Sequence, residues 1–189
     1  MKAECDLSGS DLILRTISIE DCNATYVDWL NNPEITGFLV GVRNHVHDLD
    51  GVRRFVQSVL ESENAILFAI VDRQSNRHIG NIKIGPIDWS NESSHVSLFI
   101  GEREFWGKGY ASQAISLVVS YGFTKLGLNR LEAGVVDGNS ASLKAFLRNG
   151  FREEGLMRRA FKWRDDYQDN RWLALLRDEW ENLSAPRGA

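Results

Sequence analysis

The chain has very little cysteine, with only Cys5 and Cys22 among its 189 residues. It also lacks a long hydrophobic run, since no segment approaches the ~18 uninterrupted apolar residues typical of a membrane-spanning helix. Residues 1–16 contain no apolar stretch of signal-peptide length. We therefore expect a cytoplasmic protein whose two cysteines are reduced thiols rather than a structural disulfide.

An excess of positive charge is absent as well. The 22 lysines and arginines are outnumbered by 26 aspartates and glutamates, giving a net charge of −4. Such a chain has no global attraction to nucleic acid or to an anionic membrane. The cysteines and histidines show no metal-ligand spacing, and we find no paired-carboxylate or Ser-His-Asp pattern. Without a linker or repeat to divide it, the chain is expected to form one domain over residues 1–189.

Hydrophobic patterning predicts elements in the order β-α-α-β-β-β-α-β-α-β-β. Strands are expected at residues 12–17, 65–72, 79–87, 95–101 and 129–137, with two or three more between 151 and 176. Helices are expected at residues 20–33, 48–60, 111–126 and 139–150, with a short closing helix or coil. Three consecutive strands before the first crossover exclude a doubly wound nucleotide fold. We predict an α/β (α+β) fold with a mixed, mostly antiparallel sheet and helices on both faces.

The stretch "EFWGKGYASQA" at residues 104–114 places Gly107 and Gly109 directly before a predicted helix. Glycine destabilises such a position unless the backbone must take an unusual conformation or approach a ligand closely. A P-loop is excluded, because five residues separate Gly101 from Gly107 and Lys108 is followed by a residue without a hydroxyl.

A dinucleotide fingerprint is disfavoured for a different reason. Its third glycine is replaced by Ser112, and the loop follows four predicted strands rather than one. The remaining candidate ligand is the pyrophosphate of coenzyme A. Backbone N–H groups and the positive end of a helix dipole suit such an anion.

Residues 96–114, "VSLFIGEREFWGKGYASQA", resemble the signature segment of the GNAT N-acetyltransferases, whose cofactor loop has the form Gln/Arg-x-x-Gly-x-Gly/Ala. That form falls on residues 106–111, where Trp106 stands in place of the usual Gln or Arg. A tryptophan in this position resembles the ribosomal-protein N-terminal acetyltransferase (RimJ/RimL-like) branch. Residues 133–155 resemble the strand, Asn-x-x-Ser helix and Gly-Phe turn of that branch. The resemblance covers nearly the whole chain and implies the GNAT fold, a sheet splayed at a β-bulge, and acetyl-CoA as cofactor without a metal.

The resemblance also implies which residues bind acetyl-CoA. Backbone groups of Phe99 and Ile100 would meet the pantetheine arm, and Asn139 would contact the cofactor as well as cap its own helix. The remaining residues of the implied cofactor site are Trp106, Gly107, Lys108, Gly109, Tyr110, Ala111, Ser112, Ser142 and Phe146.

In the reaction implied by this family, a substrate amine attacks the acetyl thioester directly. Many members use a tyrosine seven residues after the motif asparagine as proton donor, a position held here by Phe146, so Ser142 is the candidate donor or relay. Glu102 is our first candidate for the general base and His95 the second. The alternatives are a water chain and two turn carboxylates, Asp88 and Glu92.

The acceptor amine is left open among three classes. Basic residues around Trp163 favour an amino sugar nucleotide, as does the resemblance of residues 79–88 to enzymes of surface-polysaccharide pathways. These basic residues are Arg158, Arg159, Lys162 and Arg164. An acidic cleft would favour a polyamine instead, with contributions from Glu92, Glu102, Asp165, Asp166 and Asp169. A protein N-terminus is the third class.

Two further expectations concern catalysis and assembly. Because Phe146 stands where many members have tyrosine, the alternative to an enzyme is a catalytically silent acetyl-CoA-binding module. The tryptophans Trp163, Trp172 and Trp180 near the C terminus are expected in the core or in a subunit interface, and we expect a homodimer.

Overall fold

Eight strands form one sheet in the computed structural model, which describes residues 6–184. The strands are β1 Leu7–Ser8, β2 Leu12–Thr16, β3 Ile66–Asp72, β4 His78–Asp88, β5 Ser93–Ile100, β6 Arg130–Val136, β7 Arg152–Trp163 and β8 Asp166–Leu176. The helices are α1 Ala24–Asn31, α2 Pro33–Thr36, α3 Leu49–Glu61, α4 Tyr110–Thr124, α5 Ser140–Arg148 and α6 Arg177–Ser184, with 3₁₀ turns at Ile19–Asp21 and Arg103–Phe105.

The strand order is β1-β2-β3-β4-β5-β6-β8-β7. Every neighbouring pair is antiparallel except β5 with β6, whose connection runs through α4. The predicted mixed, mostly antiparallel sheet is therefore confirmed. The crossover helix also places the start of α4 at the C-terminal end of β5, where the glycine loop lies.

Each face of the sheet carries its own apolar cluster. One cluster packs α4 and α5 on the sheet through Ile115, Val118 and Phe146. The other packs α1 and α3 on the opposite face, around residues such as Trp29 and Val56. Helices thus cover both faces, as predicted, and side chains at alternate positions of β5 point to different clusters.

The predicted helix at residues 20–33 is divided in the structure. Asn23 caps α1 through a hydrogen bond from the N–H of Tyr26, and Asn32 then ends α1 and begins α2. Pro33, expected only to stop a helix, occupies the first turn of α2, where its missing N–H has no cost. This second helix places Glu34 and Ile35 beside the glycine loop.

A β-bulge interrupts the pairing of β4 with β5. Ile84 lies opposite Val96 and Ile87 lies opposite Ser94, so β4 has one more residue than β5 across this step. The bulge falls next to the point where β5 separates from β6, and it increases the local twist of the sheet. The splayed sheet implied by the family resemblance is therefore present, with the extra residue in β4.

The two cysteines differ in what the structure shows of them. Cys22 is a buried free thiol in the α1–α3 cluster, and burial raises the pKa of its thiol. Cys5 lies outside the described residues. A buried, uncharged Cys22 behaves as a small hydrophobic residue.

Candidate active site

The site begins as a gap between two parallel strands. β5 and β6 are paired only where residues 93–95 meet residues 130–132. Beyond that point β5 continues its pairing with β4, and β6 continues its pairing with β8. The two strands therefore diverge toward their C-terminal ends. Beyond the paired residues, their facing edges are not hydrogen-bonded to each other.

A cavity of about 410 Å³ lies at the open end of this gap. It is bordered by β5, the glycine loop, the first turn of α4, one side of α5, and the α2 region. Its lining residues are Glu34, Ile35, Phe38, Leu39, Leu98, Phe99, Ile100, Phe105, Trp106, Gly107, Gly109, Tyr110, Ala111, Ser112, Asn139, Ala141, Ser142, Lys144, Ala145 and Arg148.

The glycine loop takes a backbone conformation that other residues rarely adopt. Gly107 has φ of +73° and Gly109 has φ of +89°, both left-handed. A Cβ atom added to either residue would have no protein atom within 4 Å. The glycines are therefore required by the backbone, and the space beside them is open to a ligand.

The first turn of α4 presents N–H groups to the cavity. The N-cap Gly109 has no side chain to accept a hydrogen bond, and the first intrahelical bond is donated by Gln113 to the Gly109 carbonyl. The N–H groups of Tyr110, Ala111 and Ser112 consequently have no partner within the helix. Together with the dipole of this 15-residue helix, they make this wall of the cavity suited to an anion.

Contacts from separate parts of the chain hold that first turn in place. The Tyr110 hydroxyl donates to Asp72 Oδ1 at 2.5 Å, and Gln113 Nε2 donates to Asp11 Oδ2 at 2.5 Å. Asn149 Nδ2 donates to Ser112 Oγ at 3.0 Å, which leaves the hydroxyl proton of Ser112 free to donate. The hydrogen bond to Asp72 raises the pKa of Tyr110 to about 12. These contacts fix the direction of the first-turn N–H groups.

Helix α5 supplies the other polar wall. Asn139 Oδ1 accepts a hydrogen bond from the N–H of Ser142 at 3.1 Å, so it caps the helix while lying beside the cavity. Lys144 and Arg148, one helical turn apart, add two positive charges at the same wall. A basic helix face opposite unpaired N–H groups suits a ligand with several phosphate groups.

The predicted cofactor residues fall into two groups. The structure brings Phe99, Ile100, Ser142 and most of the loop to the cavity wall, whereas Lys108 and Phe146 do not line it. Lys108 is exposed, with Nζ 5.6 Å from the Phe105 ring. Phe146 is buried in the core against Phe151.

Trp106 connects the loop to the strand that precedes it. Its indole Nε1 donates to the Ile100 carbonyl at 2.9 Å, and the Arg103 guanidinium lies 5.7 Å from its ring. One acceptor site of the Ile100 carbonyl is therefore used within the chain. The exposed Trp106 ring remains at the cavity wall.

Glu102, the first candidate for the base, is engaged by two long-range partners. Its Oε1 accepts from Trp29 Nε1 at 3.2 Å, and its Oε2 pairs with Arg77 at 2.7 Å. Glu102 is not among the residues that line the cavity. Both of its carboxylate oxygens are therefore already engaged within the chain, which weakens its case as a base.

His95 lies at the closed end of the gap, at the last paired residue of β5. Its Nε2 is 3.3 Å from Glu132 Oε2, and its ring makes an edge contact with Trp172 at a centroid distance of 4.9 Å. The neighbouring carboxylate can orient the imidazole ring. Asp88 is the last residue of β4, where it accepts hydrogen bonds from Asn91, and Glu92 lies in the β4–β5 turn.

Aromatic rings on the β7–β8 hairpin are covered by the chain's own cations. Arg43 lies 4.3 Å and Arg164 lies 5.4 Å from the Trp163 ring centroid, and Arg159 lies 4.9 Å from Tyr167. Arg43 also donates to Gln168 Oε1 at 2.7 Å, which attaches the α2–α3 loop to the hairpin. The predicted stacking surface for a nucleotide base is therefore already occupied.

Some cavity residues were not anticipated by the sequence reasoning. Lys144 and Arg148 carry a detectable signal, since with Ala141 and Ala145 they share one face of a helix at spacings of three and four residues. Phe38 carries no such signal. It reaches the cavity because the α2–α3 loop folds against Gly138, where a Cβ would lie 3.7 Å from the Phe38 ring.

Residues 11–152 match the family model described as Acetyltransferase (GNAT) domain, and the chain belongs to this family of acetyltransferases. A similar chain, described as uncharacterized N-acetyltransferase p20 of Bacillus licheniformis, is 32% identical over 173 residues, or 89% of this chain and 94% of that one. The spermidine N(1)-acetyltransferase of Vibrio cholerae is 29% identical over 140 residues, or 74% of this chain and 72% of that one.

A solved structure of the Vibrio cholerae spermidine N-acetyltransferase, in complex with CoA and spermine, has the same fold. It superimposes with a TM-score of 0.83 at 23% identity, covering 91% of this chain and 99% of that one. Between residues 6 and 184, no helix is both long and apolar enough to cross a bilayer. The same residues contain no cluster of three or more His, Cys, Asp or Glu side chains able to hold a metal ion.

Proposed function

We propose that this protein is an acetyl-CoA-dependent N-acetyltransferase that acts on a primary amine. The observation that carries the proposal is the first turn of α4, whose unpaired N–H groups follow two left-handed glycines and face a cavity continuous with the β5–β6 gap. Donors of this kind, beside Lys144 and Arg148, fit the phosphates of coenzyme A, and no metal is needed for such a reaction.

Acetyl-CoA, when bound, supplies an acetyl group activated as a thioester. The chain's own contribution is to position it and to move protons. Backbone groups of Phe99 and Ile100 would pair with the extended pantetheine arm. The Gly107–Ser112 segment would hold the pyrophosphate, and Lys144 and Arg148 would neutralise further phosphate charge.

Two proton transfers accompany the formation of the C–N bond and the cleavage of the C–S bond. The acceptor ammonium must lose a proton, and the departing sulfur must gain one. Of the two predicted bases, we favour His95, because Glu102 already accepts from Trp29 and Arg77. Ser142 lies on the cavity wall with its N–H bonded to Asn139, and its hydroxyl is the group we assign to the sulfur.

The branch and the acceptor are finer parts of this proposal. Trp106 in the first motif position supports the ribosomal-protein N-terminal (RimJ/RimL-like) branch, whereas the similarity to spermidine acetyltransferases supports a small amine. A homodimer, a cytoplasmic location and a single domain over residues 1–189 stay predictions.

A thiol-release assay tests the proposal. The purified chain and acetyl-CoA are combined with an amino sugar nucleotide, a polyamine or an N-terminal peptide, and we expect turnover with at least one class. Ser142→Ala should lower kcat about 100-fold, whereas Ser140→Ala, on the same helix but outside the cavity lining, should not. Acetyl-CoA binding without turnover of any amine would instead identify a silent binding module.

A further inference from the structure

One row of side chains crosses the α1–α3 face of the sheet beside the gap. Lys83 of β4 pairs with Leu67 of β3 on one side and with Ser97 of β5 on the other. Directly opposite residues in a sheet project from the same face, and Leu67 belongs to the cluster under α1 and α3. His95, two residues from Ser97, projects from this face as well.

Lys83 of β4 is a half-buried cation. Among residues 6–184 its side chain makes neither an ion pair nor a hydrogen bond. Its burial lowers the pKa of its ammonium group, with no carboxylate to oppose the shift. Removing an ammonium from water without a compensating partner is costly, and such groups are often found at functional sites.

Three carboxylates near the gap are already neutralised. Glu102 pairs with Arg77, Glu132 with Arg130, and Glu34, at the cavity wall, with Arg103. A polycation entering here would have to displace an arginine at each position. The charge balance beside the gap therefore favours an incoming anion over an incoming cation.

The strand register places Lys83 beside β5, the strand that borders the gap. Ser97 pairs with Lys83 along one edge of β5, while its other edge faces the gap, because the β5–β6 pairing ends at His95. Neighbouring strands are about 4.8 Å apart. Lys83 is thus one strand removed from the gap, on the face that also carries His95.

We propose that the acceptor amine carries an anionic group, a carboxylate or a phosphate, which Lys83 binds on the α1–α3 face beside Ser97. This inference rests on the proposed acetyltransferase function and names the substrate class for that same site. The Lys83 charge has a second effect, since a nearby cation lowers the pKa of the acceptor ammonium and favours its neutral, nucleophilic form.

Matched amine pairs test the inference. Glucosamine 6-phosphate is compared with glucosamine, and alanine with alaninamide, with spermidine as a cationic competitor. We expect kcat/KM to be at least about tenfold higher for the anionic member of one pair, the range of a hydrogen bond to a charged group. The pair that shows the preference identifies the anion as phosphate or carboxylate.

Variants assign the preference to one residue. Lys83→Met keeps the length of the side chain but removes the charge, and should raise KM for the anionic amine about tenfold while leaving KM for acetyl-CoA and for the neutral amine unchanged. Lys83→Arg should restore part of the preference. Lys125→Met, at the exposed C-terminal end of α4, is the matched control and should behave as the parent chain.

Other outcomes overturn the inference. Equal turnover of both members in each pair, or spermidine as the best acceptor, would contradict it while the acetyltransferase function stands. Turnover of no amine would count against the function itself. For that case, binding of the same pairs is measured by calorimetry with CoA present, and equal affinity for charged and neutral members would again contradict a role for Lys83.

Discussion

The proposed phosphate site and the candidate bases beside the β5–β6 gap are built in different ways. At the open end, binding groups are backbone N–H groups of the Gly107–Ser112 segment and two cations on α5, all facing free space. The candidate bases instead have partners within the chain, as His95 has with Glu132 at the closed end and Glu102, just after β5, has with Arg77. The glycine loop presents donors suited to an anion before any ligand arrives, whereas the reactivity of the bases depends on how their side chains are paired.

The strongest test of this contrast is Gly109→Val. A β-branched residue at φ of +89° is strained by ~1–3 kcal/mol, and its side chain would occupy the space assigned to the pyrophosphate. The loss of a charge-assisted hydrogen bond, ~1.5–3 kcal/mol, should lower the acetyl-CoA affinity measured by calorimetry about 100-fold.

Gly127→Val is the control for Gly109→Val. Gly127 has φ of +72°, no atom within 4 Å of its added Cβ, and a place outside the cavity lining. It should cost similar folding stability but leave acetyl-CoA affinity unchanged. Equal loss of affinity in both variants would mean that strain, rather than the anion site, explains the result.

His95→Gln and Glu102→Gln separate the two candidate bases. His95→Gln should lower kcat about 100-fold, the range of general base catalysis, with little change in KM for acetyl-CoA. Glu102→Gln should lower the melting temperature, because Arg77 loses one of its two ion pairs and keeps only that with Glu104, and should change kcat less than threefold. The reverse order of kcat effects would assign the base to Glu102.

The open end was largely predictable from the sequence because its determinants are local. Left-handed glycines before a helix, and a helix capped by Asn139, act within a few residues of one another. The surroundings of the candidate bases were not. Glu102 looks like a free loop carboxylate until folding brings Trp29, 73 residues away, and Arg77, 25 residues away, within hydrogen-bond distance.

The distinction between local and long-range determinants applies to the fold as well. The order of the longer strands and helices follows from hydrophobic period and caps, and it is confirmed. The two-residue strand β1 carries too little pattern to be recognised. The division of the first helix depends on Asn23 and Asn32, whose capping bonds compete with a continuous helix.

Lys144→Met and Arg148→Met sharpen the comparison from the α5 side. Each should raise KM for acetyl-CoA about tenfold, since each removes a cation from a phosphate. Neither should change KM for acetyl-pantetheine, which lacks the phosphate groups facing α5. An equal loss with both thioesters, measured by thiol release, would place these cations elsewhere in the mechanism.

The smallest effect is expected from Tyr110→Phe. Burial acts to raise the pKa of Asp72, but hydrogen bonds from Ser75 and Tyr110 outweigh it and hold the pKa below its ordinary value. A carboxyl with a depressed pKa stabilises the fold above about pH 4, and this stability is lost as the pH falls through the folded-state pKa.

Removing the Tyr110 hydroxyl should therefore move acid unfolding to a higher pH. It should also raise KM for acetyl-CoA about threefold, because the first turn of α4 loses one of its contacts, a net effect of under ~1 kcal/mol. Circular dichroism during acid titration and steady-state kinetics check the two parts. An acid transition at the parent's pH would show that this hydrogen bond does not stabilise the helix start.

The central claim is that backbone N–H groups at the start of α4 bind the pyrophosphate of coenzyme A. Amide ¹H–¹⁵N NMR spectra recorded during a CoA titration test it directly. The amide protons of Gly107, Gly109, Tyr110, Ala111 and Ser112 should shift downfield with a common dissociation constant, because they gain a charged acceptor. Saturation with CoA that leaves these five amides unshifted, while amides elsewhere respond, would contradict the account.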